Sequence, residues 1–351
     1  MTDPISRLLP LLQCPLCGSS TLEKRLAPYP GSLPFDSGDE HLACPVCEET
    51  FPITADQIPV LWSAALKEQF LNRPSPDSAI GANIQVYDAI SDDYQCYTRR
   101  LPENALRIQD GVGRIMAQSA ETSHRYHLDF GCGPGQVLGW LKDFGLVSVG
   151  MDVSLVNLRN ARKASGALVV CGDAAQMPFK DAVFDLVTEA SVLHHILDWQ
   201  AAVAEGCRVC KPQGGILLDA EPSQEMVAFS KLAVFVFNLR FPIYKLLSYV
   251  WKEKYIFRDT QQAKLNLLAE IHHQPGTGFP LEVLRSIFED AGFNLYLYHS
   301  PGADLDTTRP PKLKNILLNL LSFRNPWNPR LGSFTALGSQ SPTPLKKGLT
   351  R

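Results

Sequence analysis

Cys14-Pro-Leu-Cys17 and Cys44-Pro-Val-Cys47 place two CxxC pairs near the start of a 351-residue chain, and they constrain its fold more tightly than any other feature. Each pair is a short knuckle whose backbone amides can support thiolates. Four thiolates satisfy tetrahedral zinc and leave no coordination position open, so the implied role is structural. A redox dithiol or two disulfides are the other uses of such pairs, but a duplicated CPxC in a chain that reads as cytoplasmic favours the metal. That reading rests on the apolar runs. Leu8–Leu12 is short and broken by Pro10, which is not a secretory leader. Met226–Trp251 is interrupted by Lys231, Arg240, Pro242 and Lys245, whereas a spanning helix needs about 20 nearly uncharged residues. A further pair, Cys207-Arg-Val-Cys210, has no second pair beside it and reads as two ordinary helix cysteines.

Beyond the cysteines the pattern divides the chain. Hydrophobic residues make up 45% and charged residues 20%, which excludes disordered, collagenous and coiled-coil classes. The length suits about two domains. Residues 1–62 read as a zinc-ribbon domain and 63–80 as a linker, marked by the polar, proline-bearing LNRPSPDS from Leu71 to Ser78. Residues 81–340 read as one larger domain, helical from Gly81 to about Met116 and alternating thereafter. Strands are expected at Tyr126–Phe130, Leu146–Met151, Leu168–Cys171, Phe184–Thr188 and Gly215–Leu218, with helices starting near Gln136, Ser154 and Trp199. A helix over Leu281–Gly292, a strand over Asn294–His299 and a strand within Gly332–Gln340 complete the series. Such alternation argues for a parallel sheet covered on both faces. Insertions are expected at 226–258 and 301–330, and 341–351 reads as a flexible tail.

The loop Leu128-Asp129-Phe130-Gly131-Cys132-Gly133-Pro134-Gly135 follows a strand and precedes a helix. Glycine permits the tight turn and lets a ligand approach the backbone. The spacing is GxGxG rather than the GxGxxG of dinucleotide binders, which points away from a pyrophosphate. Asp152 ends the next strand, 17 residues after Gly135, where a carboxylate can accept hydrogen bonds from two ribose hydroxyls. Asp173, in Gly172-Asp173-Ala174-Ala175, puts a second carboxylate on the same sheet edge, able to accept from an adenine amino group. Singly, each acid is as readily a helix cap or a loop carboxylate; their joint placement is what argues for a ligand.

Phe184-Asp185-Leu186-Val187, Leu193-His194-His195-Ile196-Leu197-Asp198 and Val209-Cys210-Lys211-Pro212-Gln213-Gly214-Gly215 continue the series. From about Tyr87 to Ser223 it resembles the class I S-adenosylmethionine-dependent methyltransferases, particularly the type 11 branch that includes quinone-biosynthesis C-methyltransferases. The resemblance implies an α/β fold with a doubly wound, seven-stranded Rossmann-like sheet, and S-adenosyl-L-methionine as the methyl donor. It implies that Asp129 with Gly131, Gly133 and Gly135 holds the methionine portion, Asp152 the ribose, and Asp173 with Ala174 the adenine. Cys210 and Gln213 depart from the usual LKPGG turn, a structural position.

The first 62 residues resemble the small zinc ribbons related to the activator subunit of tRNA and protein methyltransferases. In those, the second CxxC leads into a YPI…IPVL pattern, matched here by Phe51-Pro52-Ile53 and Ile58-Pro59-Val60-Leu61. Three basic residues against eight acidic ones give residues 1–62 a net charge of −5, which is poor for gripping phosphates. A packing or partner-docking module fits better than an RNA-binding finger.

Methyl transfer from a sulfonium is an in-line displacement in which orientation carries much of the rate. Where the acceptor is a phenol, amine or activated carbon, a base must also take its proton. His194 and His195 are the candidates; their alternative is to shape the pocket or cap the following helix. Asp198 reads as an N-cap. His272 and His273 fit either the acceptor site or a structural loop. Val227–Arg258 has six basic residues against Glu253, a net of +5, and Thr307–Arg351 has eight and no acid. Both are rich in aromatic and aliphatic residues, which suits a lid for an amphipathic acceptor or contact with an anionic membrane, or equally a packed core with solvated lysines. The expected function is methyl transfer to a small or lipid-like acceptor. An RNA methyltransferase and a non-catalytic cofactor-binding partner are the rivals.

Overall fold

The computed structural model describes residues 3–71, 79–98, 102–118, 125–239, 269–273, 277–299, 313–327 and 333–340. The N-terminal module follows from hydrogen bonding around its cysteines. After α1 (Pro4–Leu8), whose first amides bond the Asp3 carboxylate, the strands β1 (Glu23–Arg25), β2 (Ser37–Ala43) and β3 (Thr50–Thr54) form an antiparallel sheet. The two knuckles are twins. The Gly18 N–H donates to Cys14 O at 2.9 Å, and the Glu48 N–H donates to Cys44 O at 3.0 Å. Both residues sit at left-handed φ, 72° and 60°. Glycine takes that angle freely, whereas at Glu48 it costs about 1–2 kcal/mol.

The module does not end at its own sheet. Its last strand, β4 (Val60–Leu61), pairs in parallel with β7 (Leu168–Gly172) of the central sheet. The Gln13 N–H donates to Pro178 O at 3.0 Å and the Lys180 N–H to Leu11 O at 2.9 Å. Arg162 and Arg159 meet Asp56 at 2.8 and 3.2 Å. Ile5, Phe51 and Trp62 share one apolar core with the sheet residues Phe130, Val170 and Leu218. The stretch expected to be a linker opens instead on a helix, α2 (Ala64–Leu71), held at its start by Ser63 Oγ, which accepts from the Leu66 N–H at 3.1 Å. Residues 72–78 of that expected linker lie outside the described residues.

Two helices, α3 (Ala79–Thr98) and α4 (Pro102–Met116), precede the alternating region. There β5 (Arg125–Phe130), α5 (Gln136–Trp140), β6 (Leu146–Asp152), α6 (Leu155–Ser165), β7, β8 (Phe184–Ala190), α7 (Trp199–Val209) and β9 (Cys210–Pro222) follow in turn. After α8 (Gln224–Val227) and α9 (Lys231–Asn238) come α10 (Leu281–Asp290), β10 (Asn294–His299), α11 (Leu313–Leu321) and β11 (Ser333–Ser339). Local chemistry sets these boundaries. Ser154 accepts from the Asn157 N–H and starts α6, Gly166 ends it at φ 71°, and Asp198 caps α7 by accepting from the Ala201 N–H, as its position predicts.

The central sheet runs β10-β11-β9-β8-β5-β6-β7-β4, and among its described strands only β11 runs against the rest. All seven expected strands are present, and β4 from the cysteine module adds an eighth. The order reverses between β5 and β8, which opens a crevice at the carboxyl ends of the strands. Both faces are covered, so Leu128, Phe130, Val170, Leu186 and Leu217 are fully buried.

Of the two expected insertions, α9 and α11 are described. They are joined by the Ser230 hydroxyl, which donates to Leu321 O at 2.7 Å. Leu232, Phe235, Leu317, Leu320, Phe323 and Trp327 on this pair are exposed. Most of the expected basic residues, including Arg240, Lys245, Lys252, Arg258 and Arg309, lie outside the described residues, as does the expected tail 341–351. No helix among the described residues is long and apolar enough to cross a membrane.

Candidate active site

The crevice is a cavity of about 360 Å³. Its acidic edge comes from the ends of β5, β6 and β7, which carry Asp129, Asp152 and Asp173. Residues of α3, α4 and α5 line it too, Ile80, Ile108 and Trp140 beside the polar Asn83, Asn104, Arg107 and Gln136.

The glycine loop is explained by what surrounds it. Gly131 has φ 65°, and a Cβ there would lie 2.2 Å from Val192 Cγ1. Gly135 has φ 89°, and its Cβ would lie 2.7 Å from the Ala161 backbone of α6. Both positions exclude a side chain on two independent grounds. Gly133 is held by its N–H, which donates to Asp152 Oδ2 at 2.9 Å, while Asp152 Oδ1 accepts from the Ser154 N–H at 2.9 Å. Asp152 therefore ties the loop to the start of α6 before any ligand arrives.

Asp129 is buried at the cavity floor. The Thr188 hydroxyl donates to its Oδ1 at 2.7 Å. That hydroxyl must then accept from His127 Nε2–H at 2.8 Å, which leaves His127 Nδ1 to accept from Ser148 Oγ at 3.1 Å. Burial holds His127 neutral, pushing it down to about 3. Asp129 Oδ2 has no hydrogen-bond partner among the described residues. Burial pushes the Asp129 carboxyl up to about 8, against the Thr188 hydrogen bond and with some help from the nearby Glu189 and Asp152 carboxylates. An unpartnered oxygen on a buried acid is costly unless a cationic group completes it.

Asp173 closes the β7 turn. Its Oδ1 accepts from the Ala175 N–H at 2.9 Å, and its Oδ2 accepts from Ser63 Oγ at 2.6 Å. Ala174 lines the cavity beside it.

The two histidines part company. His195 lies on the cavity wall, where its Nδ1 faces Ala269 O at 2.7 Å and its Nε2 faces the Tyr87 hydroxyl at 2.7 Å. A carbonyl oxygen only accepts, so Nδ1 carries the hydrogen and Nε2 accepts from Tyr87. His194 is buried behind it, with Nδ1 3.0 Å from Glu221 Oε2 and Nε2 3.6 Å from Glu270 Oε2. Glu221 also accepts from the Val192, Leu193 and His194 N–H groups at 2.8, 3.0 and 3.1 Å, and with Glu189 it anchors the turn that carries both rings. Burial raises both of these carboxyls, Glu221 to about 7, and their mutual repulsion drives Glu189 higher still. Ser191 and Ala220, at the ends of β8 and β9, line the cavity at left-handed φ of 59° and 63°. Backbone strain of this kind concentrates at ligand sites. His272 bonds Ile196 O at 3.1 Å and does not line the cavity, and the His273 side chain lies outside what the structure describes.

Several polar residues of the site escaped the sequence reading. Tyr87 and Asn83 come from α3, more than a hundred positions from His195, whose carbonyl accepts from Asn83 Nδ2 at 3.1 Å. Arg107 of α4 clamps Asp219 with two bonds of 2.8 and 2.7 Å. Asp219, Glu221 and Glu189 did carry a signal: each is an acid at the carboxyl end of a buried apolar run, where open α/β sheets bind ligands.

The cysteines form the second centre. Cys14 Sγ lies 3.6 Å from Cys47 Sγ and Cys17 Sγ 3.5 Å from Cys44 Sγ. A tetrahedron of zinc–sulfur bonds has edges of about 3.8 Å, so the donor set and its spacing fit a structural zinc. Against burial, the Cys47 and Val46 amides and the neighbouring thiols pull the Cys44 thiol down to about 6, toward the form a metal binds. Cys207 and Cys210 are buried with no metal-binding group around them among the described residues; burial pushes the Cys207 thiol up to about 12.

Comparison with known proteins gives two family matches. Residues 128–218 match the model described as "Methyltransferase domain", and residues 6–55 match that described as "Trm112p-like protein". The demethylmenaquinone methyltransferase of Staphylococcus aureus is 30% identical over 188 residues, which are 51% of this chain and 72% of that one. Among solved structures, the complex between the Haloferax volcanii Trm112 methyltransferase activator and a methyltransferase is 18% identical, with 73% of this chain and 98% of that chain covered, at a TM-score of 0.39. A TehB-like S-adenosylmethionine-dependent methyltransferase from Corynebacterium glutamicum is 16% identical, with 72% and 98% covered, at a TM-score of 0.41.

Proposed function

Because the chain belongs to the S-adenosylmethionine-dependent methyltransferases, we propose that it methylates a small, apolar acceptor of quinone-like or lipid-like character. The observation that carries this reading is the Tyr87–His195 hydrogen bond, 2.7 Å long, on a cavity wall that Ile80 and Ile108 also line. The bound cofactor supplies an electrophilic methyl group on a sulfonium. Asp129 Oδ2 would receive the cofactor's ammonium, and the Gly131–Gly135 loop would admit the methionine portion to the backbone. Asp152 would accept from the ribose, and Asp173 with Ala174 would meet the adenine. When the acceptor is methylated, its proton would pass to the Tyr87 oxygen and the Tyr87 proton to His195 Nε2. The resulting imidazolium keeps its Nδ1–H on Ala269 O. His194 positions this turn through Glu221.

The exposed apolar residues of α9 and α11 support delivery of the acceptor from an apolar phase, including an anionic membrane surface. The Trm112-like segment supports a protein partner for the ribbon.

The test incubates the protein with methyl-labelled S-adenosylmethionine and fractionated cell extract. Label extracted into organic solvent is the expected result. Label in RNA establishes the nucleic-acid rival, and no label with intact cofactor binding establishes a binding protein.

A further inference from the structure

His194, His195 and Glu270 each offer a ligand atom, and the three atoms lie within 4.8 Å of one another. His194 and His195 are successive residues whose ring centroids are 4.0 Å apart. The immediate surroundings prepare them. His194 Nδ1 is 3.0 Å from Glu221 Oε2 and His195 Nδ1 is 2.7 Å from Ala269 O. Metal-binding histidines are oriented in this way, by a carboxylate on one ring and a carbonyl on the other. Glu270 faces His194 Nε2 at 3.6 Å, longer than a hydrogen bond. It is close to the edge, about 3.4 Å, of a tetrahedron with metal–nitrogen and metal–oxygen bonds of about 2.1 Å.

We propose that His194, His195 and Glu270 form a second metal site, for a borderline divalent cation such as Zn²⁺, reached from the cavity through His195 and separate from the ribbon. Two imidazoles and one carboxylate suit that class of ion and leave a coordination position for water or an acceptor oxygen. The site has a consequence for methyl transfer that rests on the role proposed for His195. A neutral imidazole has one lone pair. If the ion takes Nε2, Tyr87 loses its acceptor; if it takes Nδ1, the hydrogen moves to Nε2, which then donates to Tyr87. In either arrangement His195 no longer accepts the Tyr87 proton, so the ion inhibits transfer to acceptors that must be deprotonated.

Binding is measured directly, without any acceptor. Full-length protein carrying one zinc per chain is titrated with Co²⁺ and followed by visible absorption and calorimetry. The expected result is one further equivalent whose spectrum lacks sulfur-to-cobalt charge transfer. Glu270→Gln, a change at a half-exposed side chain, should weaken it at least about tenfold while the thermal unfolding temperature without Co²⁺ is unchanged. A second variant, His195→Gln, should do the same. Absence of a second equivalent, uptake showing only thiolate charge transfer, or undiminished affinity in Glu270→Gln overturns the proposal. Because this readout needs no turnover, it stands or falls apart from the acceptor assignment. With an acceptor in hand, added Zn²⁺ should inhibit the wild type and spare Glu270→Gln.

Discussion

Ser63 Oγ donates to Asp173 Oδ2 across 2.6 Å, joining the end of the cysteine module to a carboxylate at the cofactor edge of the sheet. The same hydroxyl accepts from the Leu66 N–H, so it is fixed by α2 while it orients Asp173. At the acidic edge this side chain couples the cysteine module to the methyltransferase domain, in addition to the β4–β7 pairing and the Asp56 ion pairs.

Ser63→Ala should weaken S-adenosylmethionine binding by about tenfold, the worth of one hydrogen bond to a charged group, at a cost of about 1 kcal/mol in stability from the lost cap. Calorimetry of cofactor binding checks it. Unchanged affinity would show that the turn holds Asp173 without Ser63.

Removing zinc from the ribbon should loosen the sheet edge. The Cys171 N–H donates to Pro59 O at 2.9 Å, just before β4, so its hydrogen exchange should accelerate when zinc is chelated or Cys44 is replaced by Ser. Exchange at Leu128 and Val187 in the sheet centre should stay slow. Equal exchange at Cys171 with and without zinc would mean that β4 docks independently of the metal.

Asp129 should make cofactor affinity depend on pH. Burial pushes its carboxyl up to about 8, from an ordinary value of 3.8. A raised carboxyl favours the folded state below about pH 4, and that contribution is lost as pH rises through about 8. A bound ammonium favours the carboxylate instead, so cofactor binding releases a proton. The Kd should fall with rising pH by up to about tenfold per unit from pH 6 toward 8 and rise again above it as the free cofactor's amine, ordinarily at about 8, loses its proton; Asp129→Asn abolishes the falling limb. A flat profile in the wild type would place the ammonium elsewhere.

Tyr87→Phe should reduce kcat by about a hundredfold or more and leave the Kd for S-adenosylmethionine within about twofold, since it removes a proton carrier and no cofactor contact. His195→Gln should have a similar effect on kcat. Parallel losses in kcat and cofactor affinity would mark the pair as structural.

Phe235→Ser with Phe323→Ser, at exposed positions on or beside α9 and α11, should reduce sedimentation with anionic vesicles severalfold without lowering thermal stability. Wild-type protein that does not sediment with such vesicles would remove the membrane reading.

Much of the site was legible because its chemistry is local. Asp129, Gly131, Gly133, Asp152, Asp173 and Ala174 all reach the cavity, because strand ends converge on one sheet edge, whereas Gly135 is not among the lining residues and packs against Ala161 of α6. Glycine was required there by two properties that a sequence displays poorly. One is positive φ; the other is the approach of Val192 and Ala161 from elsewhere in the chain.

The cysteine spacing and the periodic apolar runs are properties of neighbouring residues, so they sufficed for the ribbon, the seven strands and the acidic edge. Tertiary packing decided what depends on distant partners. It split the histidine pair, setting His195 against Tyr87 and His194 between Glu221 and Glu270. It also turned Val60–Leu61 into an eighth strand, because an open sheet edge at β7 leaves backbone groups that another strand can satisfy. His194 and Glu221 are 27 residues apart and the other pairings join positions about 75 to 110 residues apart, so only folding brings them together.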